Sequence, residues 1–174
     1  MEKYGIDEVS VRLVKDKRWV SDIELKDSES VYHFFKNTYE EWDREVALLL
    51  NLNSQLTPIS FTHIATGGIN CCCFSVRECL RASILSGCSG VVFLHTHPSG
   101  IPKPSRADIT LTDELVKAYD LVDIPLYDHI ILGESTYFSF REKEIFPYFK
   151  KEQQSSLDNV SDALKYAAKH NAFC

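Results

Sequence analysis

The chain has no apolar run long enough to span a membrane. Its longest, Val46-Ala47-Leu48-Leu49-Leu50 and Val91-Val92-Phe93-Leu94, are strand-length, well short of the ~20 residues a spanning helix needs. The first residues, MEKYGIDEVSVRLVKDKRW, hold no apolar h-region, so no signal peptide is expected and the cytoplasm is the expected location. There is no dense run of Lys or Arg. With 19 basic and 25 acidic residues the net charge is −6, which gives no general pull toward nucleic acid or anionic membranes. Internal repeats and low-complexity tracts are absent. Apolar residues at 44% and charged residues at 25% of 174 are ordinary for one globular domain with a real core, which excludes disordered, collagen-like and rod-like chains.

Several chemical motifs are missing as well. No H-E-x-x-H excludes a zincin. No H-x-E with P-C-x-x-C excludes the ligand set of a zinc deaminase. G-x-G-x-x-G and P-loop patterns are absent. The six cysteines, Cys71, Cys72, Cys73, Cys79, Cys88 and Cys174, include no C-x-x-C. In a cytoplasmic chain they read as thiols, mostly small buried hydrophobes, with a zinc or redox cluster at 71–73 as the minority reading.

What is present alternates strand and helix patterns, which predicts an α/β fold with a mixed sheet and packed helices. Residues 9–14, VSVRLV, alternate apolar and polar like a half-buried strand, with Val20 to Leu25 as its hairpin partner. A helix is expected from Ser28, with Val31, Phe34, Phe35 and Thr38 on one face. The run VALLLNL after Glu45 suits a strand buried on both faces. A second strand is expected over Thr57 to Ala65, ending at the turn Gly67-Gly68. Ser75 to Glu78 has the form S-x-x-E and should box-cap a helix that Gly87 or Gly90 closes. GVVFLHTH at 90–97 is the next strand. Ser105 should cap a helix to about Leu121, with Ile109, Thr112, Leu115, Val116 and Tyr119 inward. Leu126 to Leu132 and Thr136 to Phe140 read as a hairpin. Residues 150–156 are linker-like, and Leu157, Val160, Leu164 and Ala167 form the stripe of a last amphipathic helix.

The informative segment is His95-Thr96-His97-Pro98, then Ser105-Arg106-Ala107-Asp108. Side chains i and i+2 of a strand share a face, so His95 and His97 can reach one ion. The loop after Pro98 returns Asp108 in the first turn of a helix. Two imidazoles and a carboxylate suit Zn²⁺ and leave a fourth position for water, as in catalytic zinc sites. Hydrolysis there also wants a carboxylate that moves the water's proton, and Glu45 is the candidate. Taken singly, each residue has a plainer reading: Ser105 and Asp108 as a helix cap, Glu45 as a surface acid. The cap and ligand roles can coexist. Asp128-His129 is a rival metal pair, but mid-strand the two face opposite sides, which favours a structural role for at least one. His63 and His170 read as ordinary surface or core residues.

Together, H-x-H-P-x6-S-x-x-D with an upstream Glu resembles the signature of the JAMM (MPN+, or JAB) zinc metalloproteases, and the RadC-like branch most. HTHPSGIPKPSRADITLT, EVALLLNLNSQL at 45–56, SVRECLRASI at 75–84 and LYDHIILGESTYFSF at 126–140 carry the likeness, over about residues 40–142. The resemblance implies a JAMM α/β core of cytidine-deaminase-like topology. It implies His95, His97 and Asp108 as zinc ligands, Glu45 as general base, and Ser105 as a donor to the oxyanion. The activity implied is hydrolysis of a peptide or isopeptide bond, often at a ubiquitin-like tail. The alternative is a non-catalytic MPN-type binding module or a DNA-repair-associated accessory protein. The expected division is an N-terminal extension at 1–44, the JAMM domain at 45–142, and a linker with a C-terminal helix at 143–174. A helix-hairpin-helix-like part is expected to be missing, so DNA binding should be weak, and the tail is expected to pack on its own catalytic domain or on a second copy, the latter giving a homodimer.

Overall fold

The computed structural model describes residues 6–38, 44–67 and 74–146. A five-stranded mixed sheet carries the fold, in the order β2-β1-β3-β4-β5. The strands are β1 (Val46–Leu52), β2 (Pro58–Thr66), β3 (Gly90–Thr96), β4 (Leu126–Leu132) and β5 (Tyr137–Ser139). Helices α1 (Ser28–Thr38), α2 (Val76–Ser86) and α3 (Arg106–Asp120) pack on it. Only the β3–β4 pair is parallel, and α3 is its crossover. The other pairs are antiparallel.

Alternation along the two central strands sorts the core into two layers. Ala47 and Leu49 of β1 and Val91 and Phe93 of β3 point to one face, where Cys79 of α2 and Leu115, Val116 and Tyr119 of α3 cover them. Val46, Leu48, Leu50, Val92 and Leu94 point to the other, under Val31, Tyr32 and Phe35 of α1. All seven residues of β1 and all seven of β3 are buried. That is why these strands read as near-continuous apolar runs. The expected α/β architecture of a mixed sheet with packed helices is therefore present, and the helices cover both faces.

Three local expectations are corrected. VSVRLV forms no strand, and Val20 to Leu25 does not pair with it. Val9, Val11 and Val14 stay exposed. An alternating pattern makes a strand only when a sheet edge receives it, and among the described residues the sheet is built wholly from 46–139. At α2, Ser75 is the N-cap residue but makes no side-chain cap bond, and Glu78 pairs instead with Arg81 on the same helix. Gly87 does close α2, in the left-handed region at φ +64. On α3, Thr112, Leu115, Val116 and Tyr119 are buried as expected, but Ile109 is exposed, on the flank of the stripe that Asp108 begins.

Cys79 and Cys88 are free and buried, and burial pushes the Cys79 thiol up to about 12. They behave as small hydrophobes. Cys71, Cys72, Cys73, Cys174, His170 and the expected tail helix lie outside the described residues.

Candidate metal centre

The site forms where β3 leaves the sheet. His95 is the last-but-one residue of β3, on the α2/α3 face with Phe93. His97 follows the strand, its backbone N–H donating to the Leu132 carbonyl at 3.0 Å. The loop beyond it needs two glycines. Gly100 sits at φ +73, a conformation that side chains rarely adopt. A Cβ on Gly133 would lie 2.5 Å from the Gly100 carbonyl oxygen. The Glu134 N–H donates to that same carbonyl at 3.0 Å, which ties the loop to the β4–β5 turn.

The loop delivers Ser105 as the N-cap of α3. Its hydroxyl accepts from the Asp108 N–H at 3.2 Å, and its own N–H donates to Asp108 Oδ2 at 2.6 Å. This reciprocal cap fixes the carboxylate at the positive end of the helix. Asp108 Oδ1 lies 3.3 Å from His95 Nε2, and Oδ2 lies 3.6 Å from His97 Nε2. The cap and the cluster are made by the same carboxyl group.

Glu45 enters from the other side. Ala47 is paired with His95 across the β1–β3 ladder, so Glu45, two residues earlier, reaches the same face beside the histidines. Thr96 fixes this end of the strand: its hydroxyl donates to the Arg44 carbonyl at 3.0 Å and accepts from the Val46 N–H at 2.9 Å. Glu45 Oε1 stands 4.0 Å from His95 Nε2, with its side chain one-quarter exposed, whereas His95 is fully buried. One ligand atom each from Glu45, His95, His97 and Asp108 lies within 4.8 Å of all the others.

The donor chemistry fits a cation. His97 Nδ1 lies 2.9 Å from the Ile101 carbonyl oxygen. A carbonyl only accepts, so Nδ1 carries a proton, and Nε2 is the nitrogen that faces the cluster. His95 likewise has its Nδ1 engaged behind it, 2.7 Å from His129 Nε2. Its Nε2 is 3.0 Å from His97 Nε2. Two imidazole nitrogens and carboxylate oxygens converging on one point form a borderline-soft N/O set that suits Zn²⁺.

The electrostatics agree. Burial would raise the Asp108 carboxyl, but hydrogen bonds from His95 and His97 overcome it and hold the group far below the usual carboxylate range. The hydrogen bond to Asp108 raises His97. Burial raises Glu45, the direction that suits a carboxylate exchanging a proton near neutral pH.

All five expected site residues, Glu45, His95, His97, Ser105 and Asp108, are thus gathered at one place. Asp128 and His129 are no rival pair. Asp128 points to the α1 face and bonds to Ser28 and Ser139, while His129 lies behind His95. His63 is an exposed residue bonded to Thr66. Sequence reasoning missed the parts played by Thr96, Thr112 and His129. The available signal was the Asp128-His129 pair itself, on the strand expected after α3. A cavity of about 330 Å³ lined by Leu25, Val31, Leu52, Ile130 and Asp128 lies on the opposite face and includes none of the cluster residues.

Comparison with known proteins agrees with this geometry. The family model described as the RadC-like JAB domain matches residues 25–145. A UPF0758 protein of Pasteurella multocida is 32% identical over 121 residues, 70% of this chain and 54% of the relative. One from Aquifex aeolicus is 32% identical over 126 residues, 72% of this chain and 54% of the relative. One from Psychrobacter cryohalolentis is 39% identical over 105 residues, 60% of this chain and 46% of the relative. The chain belongs to the RadC-like JAB family and carries its JAMM-type Glu/His/His/Asp cluster. It spans about half the length of the curated relatives it matches. Among the described residues no helix is long and apolar enough to cross a membrane.

Proposed function

We propose that the chain is a zinc-dependent hydrolase of peptide or isopeptide bonds. The observation that carries this reading is the convergence of Glu45, His95, His97 and Asp108 within 4.8 Å at the rim of the sheet. In this reading His95, His97 and Asp108 hold the metal and Glu45 stays outside its ligand set. When bound, Zn²⁺ acidifies a water molecule and polarises a carbonyl. Glu45, at the open side of the cluster, takes the water's proton and returns it to the departing amine. The Ser105 hydroxyl accepts from the Asp108 N–H, which leaves its own proton to donate to the oxygen that gains charge during attack. A base retained beside the ligands favours an enzyme over a zinc-holding binding module.

The sheet order with helices on both faces supports the cytidine-deaminase-like topology that the family resemblance implies. The substrate proposed is an extended peptide or protein tail, ubiquitin-like tails included, met in the cytoplasm. The test loads the full chain with zinc and screens a peptide library alongside isopeptide-linked substrates. Cleavage that needs zinc and is lost in Glu45→Gln supports the proposal. A zinc-loaded chain that cleaves neither class overturns it.

A further inference from the structure

Behind the cluster runs a closed path of hydrogen bonds that links two of its members. His95 Nδ1 lies 2.7 Å from His129 Nε2. His129 Nδ1 lies 2.6 Å from Thr112 Oγ1. Thr112 Oγ1 lies 2.6 Å from the carbonyl oxygen of Asp108, one helical turn back. The direction of every proton follows from that carbonyl, which can only accept. The single Thr112 hydroxyl proton goes to Asp108, so Thr112 Oγ1 accepts from His129 and Nδ1 carries the imidazole proton. The His129 ring is fully buried, stacked on Phe140 with centroids 4.7 Å apart and edge-on to Phe93 at 5.0 Å. In an imidazole with one ring proton the other nitrogen is an acceptor. His129 Nε2 therefore holds a lone pair and accepts from His95 Nδ1–H. This leaves Nε2 as the His95 nitrogen that faces Asp108, His97 and Glu45.

We propose that His129 is a positioning residue for the metal: with Thr112 it fixes the tautomer and ring orientation of His95 and ties that ligand to the backbone of Asp108. The proposal rests on the zinc reading of the cluster. His129 touches neither the metal position nor the reacting atoms. Its reach depends on register: β3 and β4 run parallel with Phe93 opposite His129, which sets the His129 ring diagonally behind His95. A ligand histidine whose other nitrogen is held in this way is more basic and better aimed, and loss of the holding group typically costs about 10–100-fold in metal affinity.

The first test needs no metal. Long-range ¹H–¹⁵N spectra of the metal-free full chain at neutral pH should show His129 as the Nδ1–H tautomer and a proton on Nδ1 of His95. A proton on His129 Nε2 would overturn the assignment. The second test titrates zinc against a chromophoric chelator. His129→Phe keeps an aromatic ring between Phe93 and Phe140 but offers no acceptor, and it should weaken zinc about 10–100-fold and shift the visible spectrum of the Co²⁺-loaded protein. His129→Gln restores an acceptor near the Nε2 position and should stay within about threefold of wild type. If His129→Phe does not fold, Thr112→Val serves, with a several-fold loss expected. A wild type that holds zinc beside a folded His129→Phe or Thr112→Val that holds it equally well overturns this inference alone. A wild type that holds no zinc overturns the metal reading and this inference with it.

Discussion

Asp108 and Asp128 are both buried carboxyl groups, 6% and 4% exposed, and their surroundings drive them apart. Asp108 faces two imidazoles, which hold it far below the ordinary carboxylate range despite its burial. Asp128 meets four neutral donors: the Ser139 hydroxyl at 2.6 Å, the Ser28 hydroxyl at 3.1 Å, and the backbone N–H groups of His129 at 2.8 Å and Arg141 at 3.0 Å. There burial prevails and the carboxyl rises to about 6. At Asp108 the two imidazoles more than offset burial, whereas at Asp128 the neutral hydrogen bonds lower the carboxyl but by less than burial raises it. The first arrangement suits an ion-binding site. The second is a girder that ties α1, β4 and β5 together.

The sharpest break of this comparison is at Asp108. Asp108→Ala removes a ligand and half of the α3 cap, and zinc should be lost from the purified chain, with hydrolysis falling by at least ~10³-fold. Elemental analysis after gel filtration reads the metal. At Glu45 the metal should stay and the proton transfer should go. Glu45→Gln should retain about one zinc per chain and lower kcat by ~10²-fold or more. Equal turnover by wild type and Glu45→Gln would remove Glu45 from the mechanism.

Asp128 should show its effect in stability instead. The folded pKa of about 6 lies above the ordinary aspartate value, so the folded state binds this proton more tightly than the unfolded chain. Its contribution is fully present below about pH 4 and is lost as pH rises through about 6. Roughly two pKa units correspond to about 3 kcal/mol. Urea unfolding of metal-free wild type and Asp128→Asn should therefore diverge with pH. The stability of wild type relative to the variant should fall by about 3 kcal/mol between about pH 4 and pH 7. A difference flat in pH would mean that Asp128 is as well stabilised as Asp108.

The smallest effects separate the two helix caps. Ser105→Ala removes a hydroxyl that accepts from Asp108 N–H and should cost about 1 kcal/mol of stability. Ser75→Ala, where no side-chain cap bond is made, should stay within about 0.5 kcal/mol. Thermal unfolding of the two variants side by side checks this.

These two caps also show how far the chain could be read from its residues. Both have Ser followed three positions later by an acid. The box forms at Ser105, where the acid is the short Asp108 held in place by imidazoles. It fails at Ser75, where Glu78 turns to Arg81 one turn along. β1 and β3 were legible because burial on both faces leaves an unbroken apolar run. The ligands were legible because the i, i+2 spacing of His95 and His97 holds in the extended chain at the end of one strand. VSVRLV was misread because alternation is local and a strand needs an edge to join. His129 and Thr112 were not legible as supports, since their contact with His95 and Asp108 depends on the β3–β4 register and on how α3 lies over the sheet.

The claim at the centre is that His95, His97 and Asp108 hold one zinc ion with Glu45 beside it. Its most direct test is an anomalous difference map, recorded at the zinc edge, from crystals of the full chain loaded with zinc. The expected result is one strong peak about 2.0–2.2 Å from His95 Nε2, His97 Nε2 and an Asp108 oxygen, with Glu45 beyond bonding distance. No peak at that point, or zinc held elsewhere such as at the cysteines, would contradict it.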